Sequence, residues 1–239
     1  MLDQREAKAM SSDGLEVLDA NIVILPEEPL TQIGNVMSLF EESELTAFMR
    51  KPLTANQGLN LDLTLGAAVG TLQIESMRSQ KTMSISSVRI EVHDRSGNRD
   101  LDSAQIPETM FALANALHIK RVKAIGANWE VVFKSLEGVT ASAAVAEKLL
   151  RQDTSFLPQK MKLIGGAARV FLSDPSGIVY TLAIEPRLQN SQTDELWLSC
   201  NAQAANPESL SIELLKEMFQ QSFHLLFEVK ESLFPAPQL

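Results

Sequence analysis

Arg169-Val170-Phe171-Leu172-Ser173-Asp174-Pro175-Ser176-Gly177-Ile178-Val179-Tyr180-Thr181-Leu182-Ala183-Ile184 is the stretch on which the fold turns. Two β-branched, apolar runs flank Asp174 to Gly177, and proline at the second turn position with glycine at the fourth suits a type I turn. In the returning run Ile178, Tyr180, Leu182 and Ile184 share one face, and Val179, Thr181 and Ala183 share the other. A third run, Glu195 to Ala202, puts Leu196, Leu198, Cys200 and Ala202 on the core side and Trp197, Ser199 and Asn201 opposite. Three strands joined by short links predict an antiparallel meander.

Upstream, residues 1 to 14 are polar and small and read as a flexible leader, so the ordered domain is expected over 15–239. Val17 to Leu25 suits a strand stopped by Pro26-Glu27-Glu28-Pro29, and Leu30 to Met49 has helical spacing. Leu59 to Leu65 alternates like a half-buried strand. Leu72 to Met77 is a further strand, and Thr82 to His93 is another, with a bulge expected near Ser86-Ser87 because Ile85 falls on the wrong parity. Asp94 to Asp100 is a turn or loop. Pro107-Glu108 opens a helix, Lys120 to Phe133 is a strand, Thr140 to Arg151 a helix, and Lys160 to Ser173 a strand. Lys123 to Ala127 before Val131-Val132-Phe133 resembles Lys162 to Gly166 before Val170-Phe171-Leu172. The match reflects either a duplicated helix-strand unit, with halves at about 15–135 and 136–239, or a coincidence between two β-rich runs.

The chain ends in a long helix expected from about Pro207 to Phe234. Ile212, Leu215, Phe219, Ser222, Leu226, Val229 and Leu233 form a stripe at three- and four-residue steps. Leu214, Met218 and Leu225 widen it on one side, and Phe223, Phe227 and Phe234 on the other, giving an apolar arc of roughly 220°, more than one sheet can cover.

At 239 residues, with 45% hydrophobic and 21% charged residues, the chain is long enough and apolar enough for a sizeable core. A net charge of −9 repels phosphate and disfavours nucleic acid or an anionic membrane. The basic residues Arg78, Lys81, Arg89, Arg95, Arg99 and Lys120 to Lys123 are scattered among acids without interleaved aromatics. A single cysteine excludes an intramolecular disulfide and suits a reducing compartment. The acidic N-terminus lacks the apolar core of a signal peptide, so a cytoplasmic location is expected. No run approaches the ~18 apolar residues of a spanning helix.

No motif for catalysis, metal or nucleotide binding is present. His93, His118 and His224 share no local pattern and read as surface or capping residues. The strand parity of Cys200 places it among core leucines rather than in a reactive site. Gly66 to Gly70 and Gly165-Gly166 lack the lysine and hydroxyl of a phosphate loop and read as strand bends. Trp129 and Trp197 lie in predicted strands and read as packing residues.

The order of helix, Lys120 to Phe133 strand, helix, long hairpin, third strand and terminal helix bearing His224, Phe227 and Glu228 resembles an uncharacterised prokaryotic family of about 250 residues. Ala127-Asn128-Trp129-Glu130-Val131 stands where that family tends to carry Arg-Tyr-x-Asn-Arg. The resemblance implies a duplicated, SecB-like α+β layout and carries no established activity over to this chain.

Together these readings predict an α+β protein with a largely antiparallel sheet and a long C-terminal helix packed on it. The expected function is a non-enzymatic protein-interaction or assembly component, self-associating through Phe223, Phe227 and Phe234, with no catalytic residue, cofactor or metal. Two readings compete with it. In one, both sides of the apolar arc are buried within one subunit. In the other, a small-molecule binder or enzyme assembles a site between the two halves from Arg89, Glu91, His93 and Glu130.

Overall fold

The computed structural model describes residues 14–30, 64–65, 71–76, 79–99, 101, 105–133, 140–149, 166–189 and 193–234. Its strands are β1 (Leu15–Pro26), β2 (Thr64–Leu65), β3 (Leu72–Ser76), β4 (Lys81–Ile85), β5 (Ile90–Asp94), β6 (Val122–Phe133), β7 (Ala168–Ser173), β8 (Val179–Gln189) and β9 (Thr193–Ala205). Its helices are α1 (Ile106–Ala116), α2 (Ala141–Lys148) and α3 (Ile212–Leu233). Among the described residues the nine strands form one sheet, ordered β2-β3-β4-β5-β1-β6-β9-β8-β7, with every neighbouring pair antiparallel. The protein is therefore α+β with a largely antiparallel sheet and its C-terminal helix packed on it.

Strand order recurs about the central β1–β6 pair. On one side β1 is followed, after a crossover, by the meander β3-β4-β5, whose last strand returns to pair with β1; on the other, β6 is followed by β7-β8-β9, whose last strand returns to pair with β6. Each meander leads into a helix, α1 or α3. The short sequence match noted above aligns β6 with β7. Those two strands hold different places in this order, so the match does not trace the recurrence.

The meander read from 169–202 is present with the expected faces. Ile178, Tyr180, Leu182, Ile184, Leu196, Leu198, Cys200 and Ala202 are all buried. The turn is built by Asp174, whose Oδ1 accepts from the Ser176 amide (2.9 Å), the Ser176 hydroxyl (2.6 Å) and the Ile178 amide (3.0 Å). The Gly177 amide donates to the Asp174 carbonyl at 3.1 Å, and Gly177 sits at φ +86°, where a side chain is strained.

One strand reading is corrected. Thr82 to His93 is not a bulged strand but the hairpin β4–β5, with Ile85 opposite Ile90. The turn between them has the Ser86 amide donating to the Arg89 carbonyl at 2.8 Å and Ser86 Oγ accepting from the Arg89 amide at 3.0 Å. The parity break at Ile85 marked a chain reversal, because a tight turn and a bulge leave the same gap in a period-two pattern. Apart from Leu30 itself, the helix expected at Leu30–Met49 lies outside the described residues. So do most of the Leu59–Leu65 strand and residues 160–165.

α3 begins at Ser211, not Pro207. Ser211 Oγ accepts from the Leu214 amide at 3.1 Å, satisfying one of the free amides at the helix start. Its buried residues are Leu215, Met218, Phe219, Ser222, Phe223, Leu226 and Leu233. The anchor is Trp129 on β6, which is 1% exposed, stacks 4.5 Å from Phe219 and 4.4 Å from Phe223, and donates its indole N–H to the Phe219 carbonyl at 2.9 Å. α1 packs on β5, β1 and α3, and α2 on β8, β9 and α3. α2 also caps its neighbour: Lys148 Nζ donates to the Ser232 and Leu233 carbonyls at 3.0 and 2.8 Å, meeting the negative end of the α3 dipole. Burial of these apolar side chains, at ~1.5–3 kcal/mol each, is the main force holding helix to sheet.

Candidate functional site

Because side chains alternate along a strand, the residues between the core positions of β5, β1 and β6 all project from the opposite face of the sheet. There Asp19 and Asn21 of β1, Glu91 and His93 of β5, and Asn128 and Glu130 of β6 are brought side by side by the register, which sets Asn21 opposite both His93 and Asn128, and Asp19 opposite Glu130. Three of the four residues read from sequence as a site between the halves, Glu91, His93 and Glu130, lie in this group. Arg89 stands at its margin in the β4–β5 turn, ion-paired to Glu91.

The cluster is held by a chain of contacts. His93 Nδ1 lies 3.3 Å from both carboxylate oxygens of Asp19, and His93 Nε2 lies 3.7 Å from Glu91 Oε2. Asn21 Nδ2 donates to Asp19 Oδ2 at 2.8 Å, and Asn128 Nδ2 donates to Asn21 Oδ1 at 2.6 Å. Arg95 Nε approaches Asp19 Oδ1 at 3.4 Å. Burial by itself would raise the Asp19 carboxyl, but His93, Asn21 and Arg95 outweigh it and hold the group below its ordinary value. Glu130 goes the other way: burial raises its carboxyl, the negative charge of Asp19 adds to the rise, and Arg95 offsets only part of it. The register thus sets two carboxyls with oppositely displaced pKa values across one strand pair, Glu130 at the exposed side. Among the described residues no three His, Cys, Asp or Glu side chains converge with metal-ligand spacing.

Asp19, Asn21 and Asn128 went unread in the sequence. A register shift between Val17 and Asp19 displaces Asp19 from simple alternation, and Asn21 meets Asn128 across 107 positions of chain, which no local pattern carries.

On the helix face, a groove of about 740 Å³ runs between α3 and the β7–β8 hairpin, lined in part by Leu172, Asp174, Tyr180, Glu217, His224 and Glu228. The Tyr180 hydroxyl donates to Asp174 Oδ2 at 3.1 Å; burial, reinforced by that carboxylate, pushes the phenol far above its usual range. Lys216, also on the groove wall, pairs with Glu108 of α1 at 2.7 Å.

The aromatic flank of α3 divides. Phe223 is 1% exposed against Trp129 and Phe227 and within one chain offers no surface to a partner. Phe227 and Phe234 are half-buried, Phe227 meeting the Phe133 ring edge-on at 5.7 Å. The larger exposed apolar side chains among the described residues are Val88, Phe171, Leu172 and Val179, and three of these four belong to the β7–β8 hairpin. Of the histidines, His118 follows α1 at φ +56°, its amide donating to the Asn115 carbonyl, as the residue after a helix end commonly does. Cys200 is buried, and burial pushes its thiol up to about 12. No helix among the described residues is long and apolar enough to cross a membrane. Comparison with protein-family models, with curated proteins and with solved structures finds no match to this chain.

Proposed function

We propose that the protein is a non-enzymatic interaction or assembly component that associates with itself in the cytoplasm. The observation that carries this reading is the apolar hairpin at one end of the sheet: Phe171 is 68% exposed, Val179 42% and Leu172 40%. Rings and branched chains left in water each forgo ~1.5–3 kcal/mol of burial; Phe171 and Val179 project from one face of the hairpin and Leu172 from the other, so both faces at this end of the sheet carry exposed apolar side chains. Phe227 and Phe234 on α3 add a second, smaller apolar surface. The recurrence of strand order about β1–β6 supports a duplicated layout, two similar units joined in one sheet. Light scattering of the purified protein tests the proposal: the expected mass is a multiple of 26.3 kDa, and a strict monomer at every concentration ends it.

A second reading, a small-molecule binder or enzyme with its site between the two units, is favoured by one specific arrangement. The Asp19–His93 pair and the displaced Glu130 lie on β5, β1 and β6, astride the central pair. Metabolite-induced thermal shifts that vanish in His93→Ala would select it; a flat response across a broad panel of small polar metabolites would remove it.

A further inference from the structure

The groove between α3 and the β7–β8 hairpin combines an apolar lining with an acidic wall. Its apolar lining comes from three elements: the buried Tyr180 of β8, Leu172 of β7, which is 40% exposed, and the half-buried Leu225 of α3. Along the helix wall stand the exposed carboxylates of Glu213, Glu217 and Glu228, and Asp174 adds a fourth at the hairpin turn. The lysine on that wall, Lys216, is ion-paired to Glu108 of α1 at 2.7 Å. The negative field reaches the lining: burial raises the Tyr180 phenol first, and the charges of Asp174 and Glu217 add to the rise.

We infer that this groove docks an extended basic segment of a partner protein, one that alternates lysine or arginine with apolar side chains. The inference rests on the interaction reading proposed above and not on self-association. Width selects an extended chain. Glu213 and Glu228 both line the groove, and the helix between them rises ~22 Å. A volume of about 740 Å³ spread over that length is a trough roughly 6–7 Å across, too narrow for a helix ~10–12 Å wide. Spacing selects the alternation. Residues four apart on a helix rise ~6 Å, close to the ~6.6 Å between alternate side chains of an extended chain. Glu213, Glu217 and Gln221 stand on one such ridge, and His224 and Glu228 on the next, so polar groups recur along the wall at the period of an extended peptide. Sign selects the charge. Apolar side chains of the segment enter against Leu172, Tyr180 and Leu225, while lysine and arginine stems are long enough to carry their cations to the carboxylates at the rim.

At ~3.3 Å per residue the trough holds roughly seven extended residues, which sets the length of the probe. The experiment is fluorescence anisotropy of the full chain at low salt with three labelled peptides of that length: lysine alternating with leucine, glutamate alternating with leucine, and the lysine peptide's composition rearranged into two blocks. The expected result is micromolar binding of the alternating lysine peptide, no binding of the glutamate peptide, and binding of the block peptide weakened about fivefold or more. Glu217→Lys is expected to weaken the alternating peptide about tenfold or more, and Leu172→Ala about threefold, both proteins remaining folded by circular dichroism. Glu185→Lys makes the same change of charge at an exposed position on the opposite face of the sheet, and is expected to leave binding within about twofold. Equal losses from Glu217→Lys and Glu185→Lys, block and alternating peptides bound alike, or no binding by the wild type overturn the inference. So does displacement of the peptide by an equal concentration of spermine, which would make the groove a site for a small linear cation. A strict monomer by light scattering that still binds the alternating peptide removes self-association and leaves the groove; a multimer that ignores the peptide does the reverse.

Discussion

At the scale of single residues, the two carboxyls facing each other across β1 and β6 make opposite demands on pH. Asp19 is held below its ordinary value of 3.8, so the stability it contributes is present above that value and is lost as pH falls through the folded pKa. Asp19→Asn is expected to cost about 1–2 kcal/mol at neutral pH, through weakened contacts to His93 and Arg95, and the deficit should fade in acid. Glu130 is raised above 4.5, so its contribution is full below that value and is lost as pH rises through the folded pKa. Glu130→Gln should therefore be at least as stable as the wild type at neutral pH and converge with it below about 4.5. Urea unfolding across pH checks both, and a Glu130→Gln protein less stable at neutrality contradicts the arrangement. Trp129 makes the largest single packing contribution: truncation to alanine removes two ring contacts and the bond to the Phe219 carbonyl, and should cost about 3–5 kcal/mol by thermal or urea denaturation. Glu91 and His93 were legible as one strand face because alternation is local. Asp19 was not, because a shifted register hides it from any count along the chain.

At the scale of elements, the Asp174 to Gly177 turn was readable because it is decided within a few residues, whereas the Ser211 cap was not, the helix start having been expected at Pro207. Asp174 to Gly177 forms the turn its composition demands, and the amide network around Asp174 Oδ1 explains why an acid stands there. Gly177→Ala meets no atom within 4 Å, so its expected cost of about 1 kcal/mol is backbone strain alone. A residue that tolerates positive φ, such as asparagine, should recover part of that cost in the same denaturation assay. Ser211→Ala removes the N-cap of α3 and should cost ~1 kcal/mol. The β4–β5 hairpin was missed because Ser86 to Arg89 carries no glycine or proline; the turn is held instead by the Ser86 hydroxyl, which donates to the Arg89 carbonyl and accepts from the Arg89 amide.

At the scale of the whole molecule, the described residues of the sheet distribute its surfaces unequally: helices pack on one face, and polar side chains occupy the centre of the other. The wide apolar arc of α3 foretold more burial than one sheet surface supplies, and the excess is met largely inside the chain, by Trp129, α1 and α2. Phe223 shows why: whether a ring on a helix flank meets a partner or its own subunit depends on what lies beside the helix, which periodicity does not encode. The sequence by itself determined the α+β class, the antiparallel meander, strand parity and the burial of Cys200, because each follows from side-chain alternation and turn chemistry over a few residues. Only the tertiary structure decided the order of the strands, the meeting of β1 with β6 and the Asp19–His93–Glu130 cluster, because these are pairings between distant segments, selected by the free energy of the whole sheet.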